Sequence, residues 1–240
     1  MLFRSLYDNF GIVVDHYIQV DFCTFKRIVD AVGGVPVPFE TPIRDRYVGI
    51  DIKKSGCHTF YGDEALAYVR SRHLRWIDEN GKSHEDRASD FGRISRQQDF
   101  LRRVLQAALD RGLFDPAVAK ALITSLQTDV VTEEGFTFND MLQFAGVMHN
   151  VDPTSIRTYQ IEATEVIQSG QSMLDPLLSS ANMKAIMAIF QGTAPLAGAP
   201  DQVFTSTTTS GGASGGVTTT SEPNQNIKGD IIPPRDIICP

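Results

Sequence analysis

The apolar residues of this chain change period several times between residues 16 and 190, and that alternation limits its possible folds more than any other feature. His16-Tyr-Ile-Gln-Val-Asp21 alternates as a strand does, and the next residues place Phe22, Phe25, Ile28, Val29 and Val32 along one stripe of a helix over Phe22 to Ala31. Gly33-Gly34 stops that helix, since glycine takes the left-handed conformation that commonly follows a last turn. Val35-Pro-Val-Pro-Phe39 is extended, and its prolines, which cannot donate to a ladder, assign it to an edge strand or a loop. A second helix opens near Gly62-Asp63, with Asp63 able to cap it and Arg70 and Arg72 leaving from its end. His73 to Ser89 is polar and aperiodic and is expected to be a mobile loop.

The longest helix is expected from Asp90, as its N-cap, to about Arg111 before Gly112, with Phe91, Ile94, Leu101, Val104, Leu105, Ala108 and Leu109 as its core face. Further helices are expected over 116–126 and 138–149, then a strand over 155–161 and a last helix over about 175–190. Interleaved strands and helices of this kind make an α/β layered domain. After Gly192 the composition shifts to Thr, Ser, Gly and Pro, so 193–228 is expected to be a flexible linker and 229–240 a C-terminal segment able to dock back. The apolar stripes holding Phe22, Phe25, Ile28, Leu101, Leu105, Met183, Ile186 and Phe190 are first of all core, and some could line a lipid pocket.

The formal charge of -7 argues against nonspecific nucleic-acid binding, which needs a net basic face. The charge is unevenly spread, however: Arg70 to Arg103 holds nine Lys or Arg against six Asp or Glu. Within that window Arg70 and Arg72 are two apart, and Arg93 and Gln97 share a helix face near an N-terminus whose free N–H groups favour an anion. Guanidinium forks match phosphate or carboxylate oxygens and stay charged at physiological pH, so a pyrophosphate fits the pattern. The alternative is that Arg70 and Arg72 make surface ion pairs with Glu64 or Asp86 and that Arg93 is solvated. His73 and His84 with Asp78, Glu79, Glu85 and Asp86 match no compact metal-ligand spacing, and Ser71 and Ser95 lack the context of a hydrolase nucleophile. Cys23, in an apolar helical stretch, is expected to be a buried thiol. No stretch approaches the ~18–20 apolar residues of a membrane span, and nothing in the chain is expected to export or anchor it.

Val20-Asp-Phe22, Ile28-Val-Asp-Ala-Val-Gly-Gly-Val35, Gly62-Asp-Glu-Ala-Leu-Ala-Tyr-Val-Arg-Ser-Arg72 and Asp90-Phe-Gly-Arg-Ile-Ser-Arg-Gln-Gln98, in this order, resemble the LytR-CpsA-Psr family of bacterial cell-wall ligases. The matches cover about residues 10–110, and their wording looks actinobacterial. The resemblance implies an α-β-α domain with a central mixed sheet, incomplete here at its N-terminal side, with 1–192 as the C-terminal portion of the catalytic domain. It implies a phosphotransferase that moves a polyprenyl-pyrophosphate-linked glycopolymer onto a peptidoglycan acceptor at the extracytoplasmic face of the membrane. By position, Arg70, Arg72, Arg93 and Gln97 match the residues that clasp the pyrophosphate, with Asp90 and Arg96 as further motif residues. The family's magnesium ligands, a further arginine and a membrane anchor are expected upstream, which makes this chain a fragment, a truncated reading frame or one half of a pair. A noncatalytic remnant that binds pyrophosphate lipids or a partner protein is the other reading. In the oxidising compartment that the family implies, Cys57 and Cys239 either pair and staple the tail to the domain or remain two free thiols.

Overall fold

In a computed structural model the described residues are 2–86, 89–113, 130–133, 135–152 and 155–197, with Pro233, Ile237 and Cys239. They form two compact units. One holds the described residues of Met1–Asp15 and Thr158–Lys228, the other those of His16–Arg157 and Gly229–Pro240. The expected 1–192 domain is thus divided between them. The helix expected over 116–126 and nearly all of the 193–228 linker lie outside the described residues.

The larger unit begins with β1 (Ile18–Val20), shorter than the alternation suggested, and α2 (Phe22–Ala31); α1 belongs to the other unit. Asp21 caps α2 by accepting from the Thr24 N–H at 2.7 Å, and that bond holds its carboxyl below the usual range. Gly33 and Gly34 close the helix at φ +73° and +84°, their N–H groups reaching Asp30 O and Val29 O. β2 (Val35–Phe39) pairs antiparallel with β5 (Gly56–Phe60), and among the described residues each strand has only this one partner, so both prolines sit where no second described ladder needs their missing N–H. Between them β3 (Ile43–Asp45) and β4 (Ile50–Ile52) form a hairpin.

Next come α3 (Gly62–Arg70), β6 (Arg75–Ile77), β7 (Ser83–Glu85) and α4 (Ser89–Asp110). Strands β4-β3-β6-β7 form a four-stranded antiparallel sheet. The core joins Val29 and Val32, Val35, Val37 and Phe39, Ile43, Ile50, Leu74 and the ring cluster of Phe39, Phe60, Tyr68 and Phe100, whose centroids lie 4.5–6.2 Å apart. Burial pushes the Tyr68 phenol well above its ordinary pKa. β8 (Val130–Thr132) pairs with β1, and α5 (Phe138–His149) opens on a capping box between Thr137 and Asp140.

The smaller unit comprises α1 (Leu2–Phe10), the hairpin β9 (Ala163–Gln168) and β10 (Gln171–Pro176), and α6 (Ala181–Phe190). Ser169 and Gly170, both at positive φ, make its two-residue turn. Buried Glu162 accepts from Ser180 Oγ at 2.7 Å and Asn182 Nδ2 at 2.6 Å, which fixes the start of α6. The chain is therefore mixed α/β, its described strands arranged in four antiparallel sheets.

Several local expectations are corrected. His73 to Ser89 is no open loop: it carries β6 and β7, closed by Asp78, whose carboxylate accepts from Asn80 N and Lys82 N and pairs with His84 Nε2 at 2.8 Å. The strand expected over 155–161 is displaced to β9, and the last helix starts at Ala181. Asp63 is not a cap but lies inside the first turn of α3 and binds Lys26 Nζ at 2.8 Å; the Gly62 N–H is instead satisfied by Asp30 Oδ1 at 2.8 Å. Cys23 is exposed, because the first turn of α2 turns Thr24 and Phe25 toward the core and leaves Cys23 outside. Phe22 is 58% exposed, Leu101 70% and Phe190 50%, so these three are not core. Cys57 and Cys239 are joined in a disulfide across a sequence separation of 182, which ties Cys239 to β5.

Candidate anion site

The two arginine-bearing segments are joined through the backbone at the end of α3. From α4, Gln97 Nε2 donates to Val69 O at 2.8 Å and Arg96 Nη2 donates to Ser71 O at 2.7 Å. These carbonyls flank Arg70 and precede Arg72, so α4 side chains take over the acceptors that a helix C-terminus leaves unsatisfied. Arg93 stands one turn before Gln97 on the same helix, and the motif of Arg70 and Arg72 and that of Arg93 and Gln97 are thereby one local structure.

Below them lies a buried polar layer. Arg96, 0% exposed at its side chain, donates Nη1 to Asp86 Oδ2 at 2.5 Å. Asp86 in turn fits against Gly92, where an added Cβ would meet its Oδ2 at 2.3 Å. Ser71 Oγ donates to Asp45 Oδ2 at 2.5 Å, and the same oxygen accepts from His73 N at 3.3 Å while Asp45 Oδ1 accepts from Tyr47 N at 2.9 Å. Farther along α4, Asp99 accepts from Arg102 and Arg103 at 2.9 and 2.7 Å. The helix thus turns Ser95, Arg96, Asp99, Phe100 and Arg103 inward and Leu101 outward, against the apolar-stripe expectation. Paired charges made this possible, since each buried guanidinium on this face has a carboxylate within hydrogen-bond range.

Each predicted residue can now be placed. Arg70 and Arg72 are exposed; the Arg70 guanidinium lies 4.8 Å from the centroid of the Phe22 ring, a cation–π contact. Of the carboxylates offered as alternative partners, Glu64 pairs with His58 and Asp86 with Arg96. Arg93 is half-buried, and Gln97 spends one amide hydrogen on Val69 O. Arg96, given only as a further motif residue, is completely buried, with its guanidinium bonded to Asp86 and Ser71 O. The Asp90 side chain lies outside the described residues; α4 itself begins at Ser89, which puts Asp90 inside the helix and not at its cap. Asp45 and Asp86 were missed as organisers, and no local spacing in the sequence announces either.

Among the described residues no group of three His, Cys, Asp or Glu is placed to hold a metal ion. Nor is any described helix long and apolar enough to cross a membrane.

Residues 1–188 match the model of the LytR_cpsA_psr family, and the chain belongs to that family. The chain is 28% identical over 208 residues to the cell wall biosynthesis protein LcpA of Corynebacterium glutamicum, an alignment that covers 84% of this chain and 37% of that protein. Among solved structures, the LytR-Csp2A-Psr enzyme from Actinomyces oris matches with a TM-score of 0.59 at 24% identity, over 78% of this chain and 67% of that one. A structure described as TagT bound to LIIa-WTA matches with a TM-score of 0.55 at 18% identity, over 80% of this chain and 66% of the other. The chain spans 37–40% of the length of the first curated relatives it matches.

Proposed function

We propose that this chain grips the diphosphate head group of a polyprenyl-pyrophosphate-linked glycopolymer, of teichoic acid, capsule or arabinogalactan type, for a phosphotransferase that attaches the polymer to peptidoglycan. The observation that carries the proposal is the pair of hydrogen bonds from Gln97 and Arg96 to Val69 O and Ser71 O, which hold the Arg70 and Arg72 segment against the helix of Arg93. A diphosphate needs such a cluster: phosphoryl transfer spreads negative charge over the transferred and leaving oxygens, and preorganised guanidinium groups stabilise it. That TagT has been solved with LIIa-WTA bound supports a glycopolymer ligand for this chain. The Cys57–Cys239 bridge supports an extracytoplasmic location, since such bonds persist in oxidising compartments. Membrane association would then come through the lipid substrate and an N-terminal anchor.

The exposed Arg70 and Arg72 would serve equally in a second reading, a noncatalytic binder of pyrophosphate lipids or of a partner protein. A soluble polyprenyl diphosphate analogue should bind the purified chain, and Arg93→Ala should weaken it by about tenfold or more, the scale of one charge-assisted contact. Unchanged affinity in that variant removes Arg93 from the site. In a magnesium-supplemented assay of phosphate release, turnover abolished by Arg70→Ala supports the enzyme, whereas binding without turnover supports the second reading.

A further inference from the structure

Beside the arginine cluster, a cavity of about 660 Å³ opens between the β3–β4 turn and the β6–β7 hairpin. We propose that it binds a carboxylated saccharide. Its lining includes Arg44, Arg46, Tyr47, His73, Arg75 and Glu85. Two of the three guanidinium groups are already matched: Arg44 Nε donates to Asp51 Oδ1 at 2.9 Å across β3–β4, and Arg75 Nη1 donates to Glu85 Oε2 at 2.7 Å across β6–β7. Arg46 is exposed and has no carboxylate partner among the described residues, so the cavity keeps one positive charge available for an anionic group.

Tyr47 supplies a different kind of contact. It is 83% exposed, with its ring centroid 4.9 Å from that of His73. An aromatic face so open to water can pack against the C–H face of a sugar ring, a weak contact that accumulates over several hydrogens. The turn is built and held: the Asp45 carboxylate, 1% exposed, fixes the Tyr47 N–H, the Ser71 hydroxyl and the His73 N–H together. The volume lies within the range of small-molecule sites and exceeds what a bare phosphate fills. The three arginines, His73 and Glu85 around it do not suit a lipid chain. An aromatic face, the hydrogen-bonding carboxylate of Glu85 and an unmatched guanidinium together define an acidic sugar.

His73 directly follows Arg72, and Asp45 binds the segment between Arg70 and Arg72 to this turn, so the cavity borders the proposed diphosphate grip. Resting on the proposed function, the saccharide is the acceptor glycan; the binding itself is independent of that reading. Calorimetry on the full chain tests it, with a soluble oligosaccharide of N-acetylglucosamine and N-acetylmuramic acid, whose lactyl groups carry carboxylates, as the probe. A neutral N-acetylglucosamine oligomer of equal length, inorganic phosphate and the soluble diphosphate analogue are the comparison ligands.

The acidic oligosaccharide should bind, with Arg46→Ala and Tyr47→Ala each weakening it by about tenfold or more and the neutral oligomer weaker by a similar factor. Arg72→Ala should leave this affinity within about twofold while weakening the diphosphate analogue by about tenfold, which separates failure of this site from failure of the diphosphate reading. Both tested side chains sit on an exposed turn, and unchanged circular dichroism checks that the variants fold. No saccharide binding, binding indifferent to both variants, equal binding of the neutral oligomer, or full displacement by inorganic phosphate would each overturn the proposal.

Discussion

Arg96→Ala should lower the unfolding free energy by about 3–5 kcal/mol, the scale for removing one partner of a buried ion pair. The guanidinium bridges Asp86 and Ser71 O with no exposed surface, so its loss takes the positive charge from a carboxylate that is itself 1% exposed and leaves a buried carbonyl without its donor. Lysine should not rescue it, because one ammonium cannot reproduce a fork that spans a carboxylate and a carbonyl on different segments. Gly92→Ala should act in the same direction, since the new methyl would displace Asp86. Urea denaturation followed by circular dichroism measures both. A loss of under about 1 kcal/mol in Arg96→Ala, the range of ordinary surface changes, would show that the buried layer does not hold the two arginine segments together.

Reducing the Cys57–Cys239 bridge, or replacing Cys57 by serine, should cost about 2–4 kcal/mol, because the bond closes a very long loop and restricts the unfolded chain. Thiol titration supplies the independent count. Of the three cysteines, Cys23 alone is exposed and free among the described residues, so the oxidised protein should show one reactive thiol and the reduced, unfolded protein three. Identical denaturation curves with and without reductant, or three reactive thiols in the folded oxidised protein, would contradict the bridge.

What the sequence disclosed follows from where its signals were local. The Phe22 to Ala31 helix was legible because its stripe and Gly33-Gly34 agree, and the 138–149 helix because it is long and periodic. The β6–β7 hairpin was not: Arg75-Trp-Ile77 and Ser83-His-Glu85 are too short and polar for an alternation count, although Asn80-Gly81 between them is a turn dipeptide that should have flagged it. The Ser169-Gly170 turn was overlooked in the same way. On α4 the apolar-stripe rule chose the wrong face near Leu101, because charges buried in pairs do not register as core in any one-residue scale.

For the candidate site, the motif proposed Arg70, Arg72, Arg93 and Gln97, but the contacts of their neighbours required coordinates. Arg96 differs from Arg93 only by standing on the inner face of α4, and the sequence separation of ten between it and Asp86 carries no helical spacing that would announce a pair. Asp45 is joined to Ser71 and His73 across 26 and 28 residues, a link that only the folded sheet creates.

The most direct test is a titration of farnesyl diphosphate into the chain, followed by ¹⁵N spectra of the arginine side chains and assigned through single Arg→Lys variants. The Nε–Hε signals of Arg70, Arg72 and Arg93 should move together with one dissociation constant, as three groups closing on one diphosphate. If one of them moves alone, or the three move with separate affinities, they do not belong to a common site.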